Sequence, residues 1–357
     1  MSFVTFQGVS KSFGSTVAVE GLEIEIEQGE FFSLLGPSGC GKSTTLRMLA
    51  GFLTPTTGRI FVNGRDITNL PPEARGIGIV FQNYAIFPHM NVLDNIAFGL
   101  VERGEDKATI RRKVEAALTQ VGLEGFGERF ERELSGGQKQ RVALARVLVI
   151  EPEILLLDEP LSALDKKMRE EMKFWIKDIQ ASIGITTIYV THDQSEALTM
   201  SDRIAVMNQG KMLQVGSPVD IYEAPASRFI AEFIGDSNLL PATAVAVNGA
   251  DCDLDLGDRV VVSARTPAGA AVGIGDPVHL LLRPEMLRLA AAKPGETPRM
   301  QGQITGEVYQ GALRRYRVQT GAHEITVEVP NRPELSALNL GDKVQLYWST
   351  QSGVVVP

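Results

Sequence analysis

The chain has 357 residues, 44% of them apolar and 22% charged, a composition that excludes disorder for the bulk of the protein and supplies enough apolar surface for packed cores. At roughly 100 to 200 residues per domain, this length predicts two or three domains. Thirty-five Lys and Arg against 43 Asp and Glu give a net charge of −8, which argues against a chain built to coat a nucleic-acid backbone, since such binding neutralises phosphates with basic side chains.

Only Cys40 and Cys252 occur, so neither a disulfide framework nor a CxxC metal site is predicted, and a reducing compartment fits. The opening MSFVTFQGVS lacks a basic segment followed by an apolar one, so no secretory signal is read. Apolar runs such as Ile154 to Leu157 and Val260 to Val262 fall far short of the about 18 to 20 residues that cross a bilayer. Any membrane role is therefore expected to come through a partner.

In chain order, Phe31 to Leu35, Ile77 to Val80, Ile154 to Asp158, Thr186 to Val190 and Arg203 to Met207 are short β-branched or leucine-rich runs separated by helical patterns. This predicts an α/β domain with a largely parallel, buried sheet. Between Asn91 and Val149 strand signals vanish. Ile110, Val114, Leu118 and Val121 recur at helical spacing there, predicting a helical insertion at about 88–150. Asn208-Gln209-Gly210 separates RIAVM from KMLQV as a hairpin would, and the helical run to Phe233 stops at Gly235. Past Ser237 the pattern becomes short alternating strands broken by Gly, Asp and Pro, as in an all-β module. Domains 1–236 and 237–357 follow. GDPVHL (Gly275 to Leu280) and GDKVQL (Gly341 to Leu346) nearly repeat, which fits either an internal duplication or two uses of a good turn.

Gly36-Pro37-Ser38-Gly39-Cys40-Gly41-Lys42-Ser43-Thr44 fits G-x-x-x-x-G-K-[ST] between a strand and a helical stretch, the context the motif requires. Glycines let backbone amides converge on a phosphate, the helix N-terminus adds partial positive charge, Lys42 adds a full one, and the Ser43 hydroxyl can ligate magnesium. A turn that only caps a helix would not need both the Lys and the hydroxyl. Cys40 reads as a passive small residue, since no resolving partner is nearby in sequence. The strand Ile154 to Asp158 ends in Asp158-Glu159, at the edge where ligands of open α/β sheets bind. Beside a phosphate loop, Asp158 is expected in the magnesium shell and Glu159 as the group that orients or deprotonates the attacking water. Ser135 with Gln138 forms a capping box, which by itself only starts a helix, but Gly136 and Gly137 would let a phosphate approach the amides closely.

The phosphate loop, Gln82 in VFQNYAIFP, LSGGQKQRVALAR, LLLDEPLSALD and YVTHDQSEAL follow one another in an order that resembles the ATP-binding subunit of an ATP-binding-cassette transporter, from Phe3 to about Gly235. The resemblance implies a phosphate-loop NTPase cassette with a RecA-like core and helical subdomain, an ATPase using ATP and Mg²⁺. It implies that Gln82 senses magnesium and couples to membrane subunits, that Ser135 to Gln138 are the signature, that Asp165 closes the loop SALD, and that His192 contacts the γ-phosphate. Without the family, His192 would read as a helix-start residue beside the D-x-x-E pattern of Asp193 and Glu196. The aromatic that stacks on adenine, often Tyr in this family, is matched by Phe13, and stacking needs only the ring.

In cassette proteins one nucleotide is held by the phosphate loop of one subunit and the signature of another, so a homodimer is implied, with both sites forming together. Two transmembrane permease subunits and a substrate-binding protein complete the implied complex. The resemblance implies docking through the surface around Gln82 to Pro88 and the helical insertion, at the cytoplasmic face of the membrane; by its residues alone the apolar stretch Tyr84 to Pro88 reads equally as buried core. Residues from 237 resemble the paired oligonucleotide-binding-type (transport-associated) barrel of importer ATPases, with LLRPEML (Leu281 to Leu287) similar to its Arg-Pro-Glu segment. Eleven basic and 12 acidic residues from 237 to 357 disfavour nucleic-acid binding there, and Arg314-Arg315-Tyr316-Arg317 reads as a solvated strand face, with a regulatory or subunit-contact role as the alternative. Within importers the polyamine (spermidine or putrescine) type is most similar, with iron(III), sugar and phosphonate types as alternatives. A soluble cassette protein acting on ribosomes or DNA would carry a second cassette, a coiled coil or zinc modules, and none is read here.

Overall fold

The computed structural model describes residues 2–257, 260–267, 271–290, 299–331 and 338–357. The chain divides into two compact units, Met1–Pro218 and Val219–Pro357.

The first unit is organised by a six-stranded sheet. Its order is Lys211–Gly216, Arg203–Asn208, Phe31–Leu35, Thr186–Thr191, Ile154–Asp158, Ile77–Val80, all parallel except the Lys211–Gly216 hairpin arm. Each of the five runs read as strands is one. Both faces are buried, which is why the runs are continuously apolar. Phe31, Leu155, Leu157 and Tyr189 point into a core shared with the helical insertion. Phe32, Leu34, Ile154, Leu156 and Val190 point into a second core on the other face. The insertion consists of helices Val92–Glu102, Lys107–Gln120 and Gly136–Leu148.

The second core is closed by an antiparallel sheet that the α/β reading did not anticipate. It is ordered Thr16–Ile26, Val4–Phe13, Thr57–Val62, Arg65–Asp66. Its signal was present as strict alternation: Leu22, Ile24 and Ile26 are buried while Glu23 and Glu25 are exposed.

In the second unit, strands Asn238–Asn248, Asp251–Asp255, Val261–Arg265, Gly353–Val356 and Pro277–Leu282 close a barrel. Arg288–Ala290, Lys343–Tyr347, Met300–Tyr309, Leu313–Thr320 and His323–Pro330 form a five-stranded sheet. The GDPVHL and GDKVQL turns carry the same hydrogen bonds. Gly275 donates to the Ala244 carbonyl (2.7 Å) and Gly341 to that of Ile304 (2.9 Å). Asp276 and Asp342 each accept a backbone N–H three residues upstream, at 2.7 and 2.8 Å. The repeat is therefore a structural duplication. Its halves exchange their last strands: Arg288–Ala290, which follows the first half, pairs with Lys343–Tyr347 of the second, and Gly353–Val356 pairs back with Pro277–Leu282.

The compact units part at Pro218, ahead of the change in sequence pattern near 237, because Arg283 reaches back. Its buried guanidinium donates to the carbonyls of Tyr222 (2.9 Å), Ala231 (3.2 Å), Ile234 (2.6 Å) and Asp236 (3.2 Å), holding the end of helix Arg228–Phe233 on the barrel. This gives the Arg of LLRPEML a structural task. Arg314 pairs with Glu307 at 2.7 Å, and Arg315 pairs with Asp236 and Glu328, so the short basic run is largely neutralised.

The strand exchange makes a checkable demand. A chain ending at Ser352 should lose hydrogen-exchange protection along Pro277–Leu282, more than 70 residues upstream in sequence. Unchanged protection there would contradict the pairing.

Candidate functional site

The strand Phe31–Leu35 runs straight into the phosphate loop, which feeds the helix Lys42–Ala50. Gly41 caps that helix with φ 106°, and a Cβ there would lie 2.6 Å from the Ala18 carbonyl, so no other residue fits without moving the backbone. The first helical turn carries no acidic residue and no side chain caps it, leaving its dipole uncompensated. Lys42 is only 4% exposed. Its ammonium donates to the carbonyls of Gly36 (2.7 Å) and Pro37 (2.9 Å) and lies 3.8 Å from the Cys40 sulfur, and among the described residues no carboxylate pairs with it. Burying a charge without a counter-ion is costly, and carbonyl dipoles offset only part of that cost. The loop is thus built around a cation whose anion comes from outside. Burial pushes the Cys40 thiol up against the opposing pull of Lys42, which suits the passive reading of that cysteine.

Next to the loop, at the end of strand Ile154–Asp158, the Ser43 hydroxyl donates to Oδ1 of Asp158 at 3.1 Å. Burial raises the Asp158 carboxyl above the usual carboxylate range, the Ser43 bond opposes this, and the charge of Glu159 adds to it. A cation would relieve that strain. Hydroxyl and carboxylate oxygens are the donors magnesium takes, so Ser43 and Asp158 fit the ion. Glu159 has φ 46°, in the left-handed region, held by its N–H donating to the Val190 carbonyl at 3.0 Å. This turn places Oε2 of Glu159 3.2 Å from Nδ1 of His192, which follows strand Thr186–Thr191. Gln82 donates to the Ser162 hydroxyl (3.2 Å), which donates to the Glu159 carbonyl (2.9 Å). Arg47, Phe81, Gln82, Asp158 and Ser162 line one open cleft. The structure therefore brings Lys42, Ser43, Gln82, Asp158, Glu159 and His192 into one neighbourhood.

Several residues that support this neighbourhood take no such role in the sequence reading, although all but Asn95 lie inside the motifs quoted there. Tyr84 and Ala85 both take left-handed backbone (φ 60° and 48°) just after Gln82. Arg146 holds them by donating to their carbonyls at 3.0 and 2.7 Å, and buried Asn95 ties down the following turn through Phe87, Met90 and Asn91. Tyr189 and Thr191 donate to buried Glu196 at 2.7 and 2.6 Å, fixing the helix that starts behind His192.

Ser135 caps helix Gly136–Leu148, with Gln138 returning the bond to the Ser135 N–H at 2.9 Å. A Cβ on Gly136 would lie 2.8 Å from Leu164, and one on Gly137 would lie 2.7 Å from the Met168 sulfur. Both atoms are the ends of flexible side chains that can shift, so packing alone does not demand glycine at either position. Among the described residues no hydrogen bond joins Ser135 to Gln138 with Gly36 to Thr44. Asp165 caps helix Lys166–Ile183 by accepting from the Met168 N–H at 3.0 Å. Phe13 ends strand Val4–Phe13 with its ring 49% exposed and the Lys11 ammonium 5.2 Å from its centroid.

Residues 19–162 match the ABC transporter family model and residues 280–356 match the TOBE domain. The chain is 46% identical over 355 residues to the spermidine/putrescine import ATP-binding protein PotA of Rubrobacter xylanophilus, covering 99% of this chain and 93% of that protein. It is 48% identical over 319 residues to the Fe(3+) ions import ATP-binding protein FbpC of Rhizobium etli, covering 89% and 88%. Among solved structures, cbiO1 from Clostridium perfringens, part of the ABC transporter complex cbiONQ, superposes with a TM-score of 0.58 at 33% identity, covering 62% of this chain and 90% of that one. The chain belongs to the ABC transporter family, among the ATP-binding subunits of its importers. It is a nucleotide-binding ATPase coupled to transport, and such subunits work with membrane permeases. Among the described residues no helix is long and apolar enough to cross a membrane.

The raised carboxyl of Asp158 sets the sign of one test. Folding favours the protonated form, so ionisation of Asp158 opposes folding as pH rises through the carboxylate range, and the cost persists at neutral pH. Asp158→Asn should therefore raise the melting temperature of nucleotide-free protein at pH 7, with the gain shrinking below about pH 4. A lower melting temperature at pH 7 would contradict the assignment.

Proposed function

We propose that the chain hydrolyses ATP to drive polyamine import. Two copies would clasp each nucleotide between Gly36–Thr44 of one and Ser135–Gln138 of the other, at the cytoplasmic face of the membrane, in a complex completed by a substrate-binding protein. The observation that carries this reading is Lys42, a buried ammonium whose hydrogen bonds, among the described residues, go to the Gly36 and Pro37 carbonyls and the Cys40 sulfur of its own loop and to no carboxylate. On arrival of a triphosphate, the ammonium would exchange those carbonyls for phosphate oxygens while the uncapped N-terminus of helix Lys42–Ala50 offers its dipole to the same anion.

Ser43, Asp158 and Gln82 would hold magnesium, which when bound supplies charge neutralisation for phosphoryl transfer. Glu159 accepts the proton of the attacking water. Its contact with Nδ1 of His192 keeps the imidazole at the same place, leaving Nε2 free to face the γ-phosphoryl oxygens. Phe13 offers its exposed face to the adenine. Hydrolysis removes the group that joins the two copies, so cleavage opens the dimer, and that motion is handed to the permeases.

Polyamine as cargo rests on the relatives named for spermidine and putrescine, matched over 99% of this chain, against 89% for the iron(III) relative. Iron(III) import is the second reading. Uptake of labelled spermidine and of ferric iron in a strain lacking this chain separates them: loss of spermidine uptake alone supports the first, loss of iron uptake alone the second.

Two substitutions test the chemistry. Lys42→Ala should weaken ATP binding below detection by calorimetry. Glu159→Gln should keep ATP affinity while lowering turnover by about 10²-fold or more, the range for removing a general base. Normal hydrolysis by Glu159→Gln would remove that residue from its role.

A further inference from the structure

Between the loop Ser162 to Asp165 and the turn that carries His192 sits a side chain to which no motif draws attention. Arg169, on the first turns of helix Lys166–Ile183, directs three guanidinium nitrogens at three different elements. Nη2 donates to the Leu164 carbonyl at 3.1 Å, inside the loop. Nη1 donates to Oδ2 of Asp193 at 3.3 Å, the residue directly after His192. Nε lies 3.9 Å from Oε1 of Glu196, which is almost wholly buried, and among the described residues has no hydrogen-bond partner of its own. Asp193 is engaged from its other side, since Oδ1 caps helix Gln194–Met200 by accepting from the N–H groups of Ser195 and Glu196 at 2.8 and 3.3 Å. One planar fork thus spans the loop that runs from Glu159 to Asp165 and the turn that positions His192.

We infer that Arg169 is a positioning residue for hydrolysis: it ties the Ser162–Asp165 loop to the His192 turn, so that the two move as one piece. The same loop holds Gln82 and the Glu159 carbonyl through Ser162. Arg169 therefore closes a ring, running from Gln82 through Ser162 and Glu159 to His192, then from Asp193 through Arg169 to Leu164 and back into the loop. A shift of the loop, by a second subunit or by nucleotide, reaches His192 through one planar guanidinium bonded at Nη2 to the loop and at Nη1 to Asp193, instead of through flexible backbone. Lysine could satisfy one of the three partners but not hold all of them in a plane.

This rests on Glu159 and His192 forming the hydrolytic pair, and the test keeps the two claims apart. Steady-state ATP hydrolysis, ATP affinity and melting temperature are measured on the full chain for Glu159→Gln, Arg169→Ala, Arg169→Lys, Asp193→Asn and the double variant Arg169→Ala with Asp193→Asn. Asp193→Asn can keep the Oδ1 cap while replacing the charged Oδ2 that accepts from Arg169 with an NH2 that cannot, so it breaks the contact from the other side and decides the matter even where Arg169→Ala folds poorly. Expected are a loss in kcat of about tenfold in Arg169→Ala and in Asp193→Asn with KM and ATP affinity within about twofold of the parent. Arg169→Lys should be intermediate, and the double variant no slower than the slower single one, because both act through one contact. Wild-type kcat in Asp193→Asn, or losses that multiply in the double variant, would overturn the inference while an inactive Glu159→Gln left the hydrolytic pair standing. An active Glu159→Gln would instead remove the pair on which it rests.

Discussion

A buried lysine ammonium with no carboxylate paired to it among the described residues is the feature on which the rest of the site depends. Lys42 sits 4% exposed, bonded to two carbonyls of the loop that precedes it. An unpaired charge in that position persists only because the loop's dipoles share it and because the surrounding fold fixes the loop rigidly. Gly41 passes too close to Ala18 for a side chain, and helix Lys42–Ala50 is anchored in the core by Leu46, Met48 and Leu49. The loop cannot relax outward to hydrate its lysine without breaking that packing. An anion is the lower-cost partner, and a triphosphate brings three.

The sheet supplies the remaining groups by geometry. Strands Phe31–Leu35, Ile154–Asp158 and Thr186–Thr191 are parallel neighbours, so the loops that leave them emerge at one edge. Lys42 and Ser43 follow the first, Asp158 and Glu159 end the second, and His192 follows the third. Continuous burial of both faces makes the strands stiff, and the left-handed turn at Glu159 fixes where its carboxylate points. Side chains in the connecting segments, above all Ser162 and Arg169, then link the loops to one another, which is how an event at one of them reaches the rest.

What the sequence made legible was whatever depends on neighbours in the chain. Strands buried on both faces announce themselves as apolar runs, and a phosphate loop announces itself because its chemistry needs a glycine, a lysine and a hydroxyl at fixed offsets. The capping box at Ser135 and Gln138 was visible for the same reason. Contacts between distant segments were not. Gln82 meets Ser162 across 80 residues, Arg146 meets Ala85 across 61, and Arg169 meets Asp193 across 24. An arginine on an amphipathic helix gives no sign of whether it faces solvent or a carbonyl. The N-terminal antiparallel sheet was overshadowed by the α/β pattern around it, although Leu22, Ile24 and Ile26 alternate cleanly with exposed acids. Likewise the GDPVHL and GDKVQL repeat hinted at duplication, while the exchange of final strands between halves could be seen only in the fold.

One chain holds one cation-bearing loop and one Ser135–Gln138 turn. The turn's capping bonds stay within its own helix, and a Cβ added at Gly136 or Gly137 would meet Leu164 or Met168. A second copy completes each site on this account, so catalysis is a property of the pair. The specific ATPase activity of the purified chain, followed across a dilution series alongside its mass by sedimentation, tests this most directly. The account predicts that activity per milligram falls on dilution as dimer is lost. A monomeric species that hydrolyses ATP at an undiminished specific rate would contradict it.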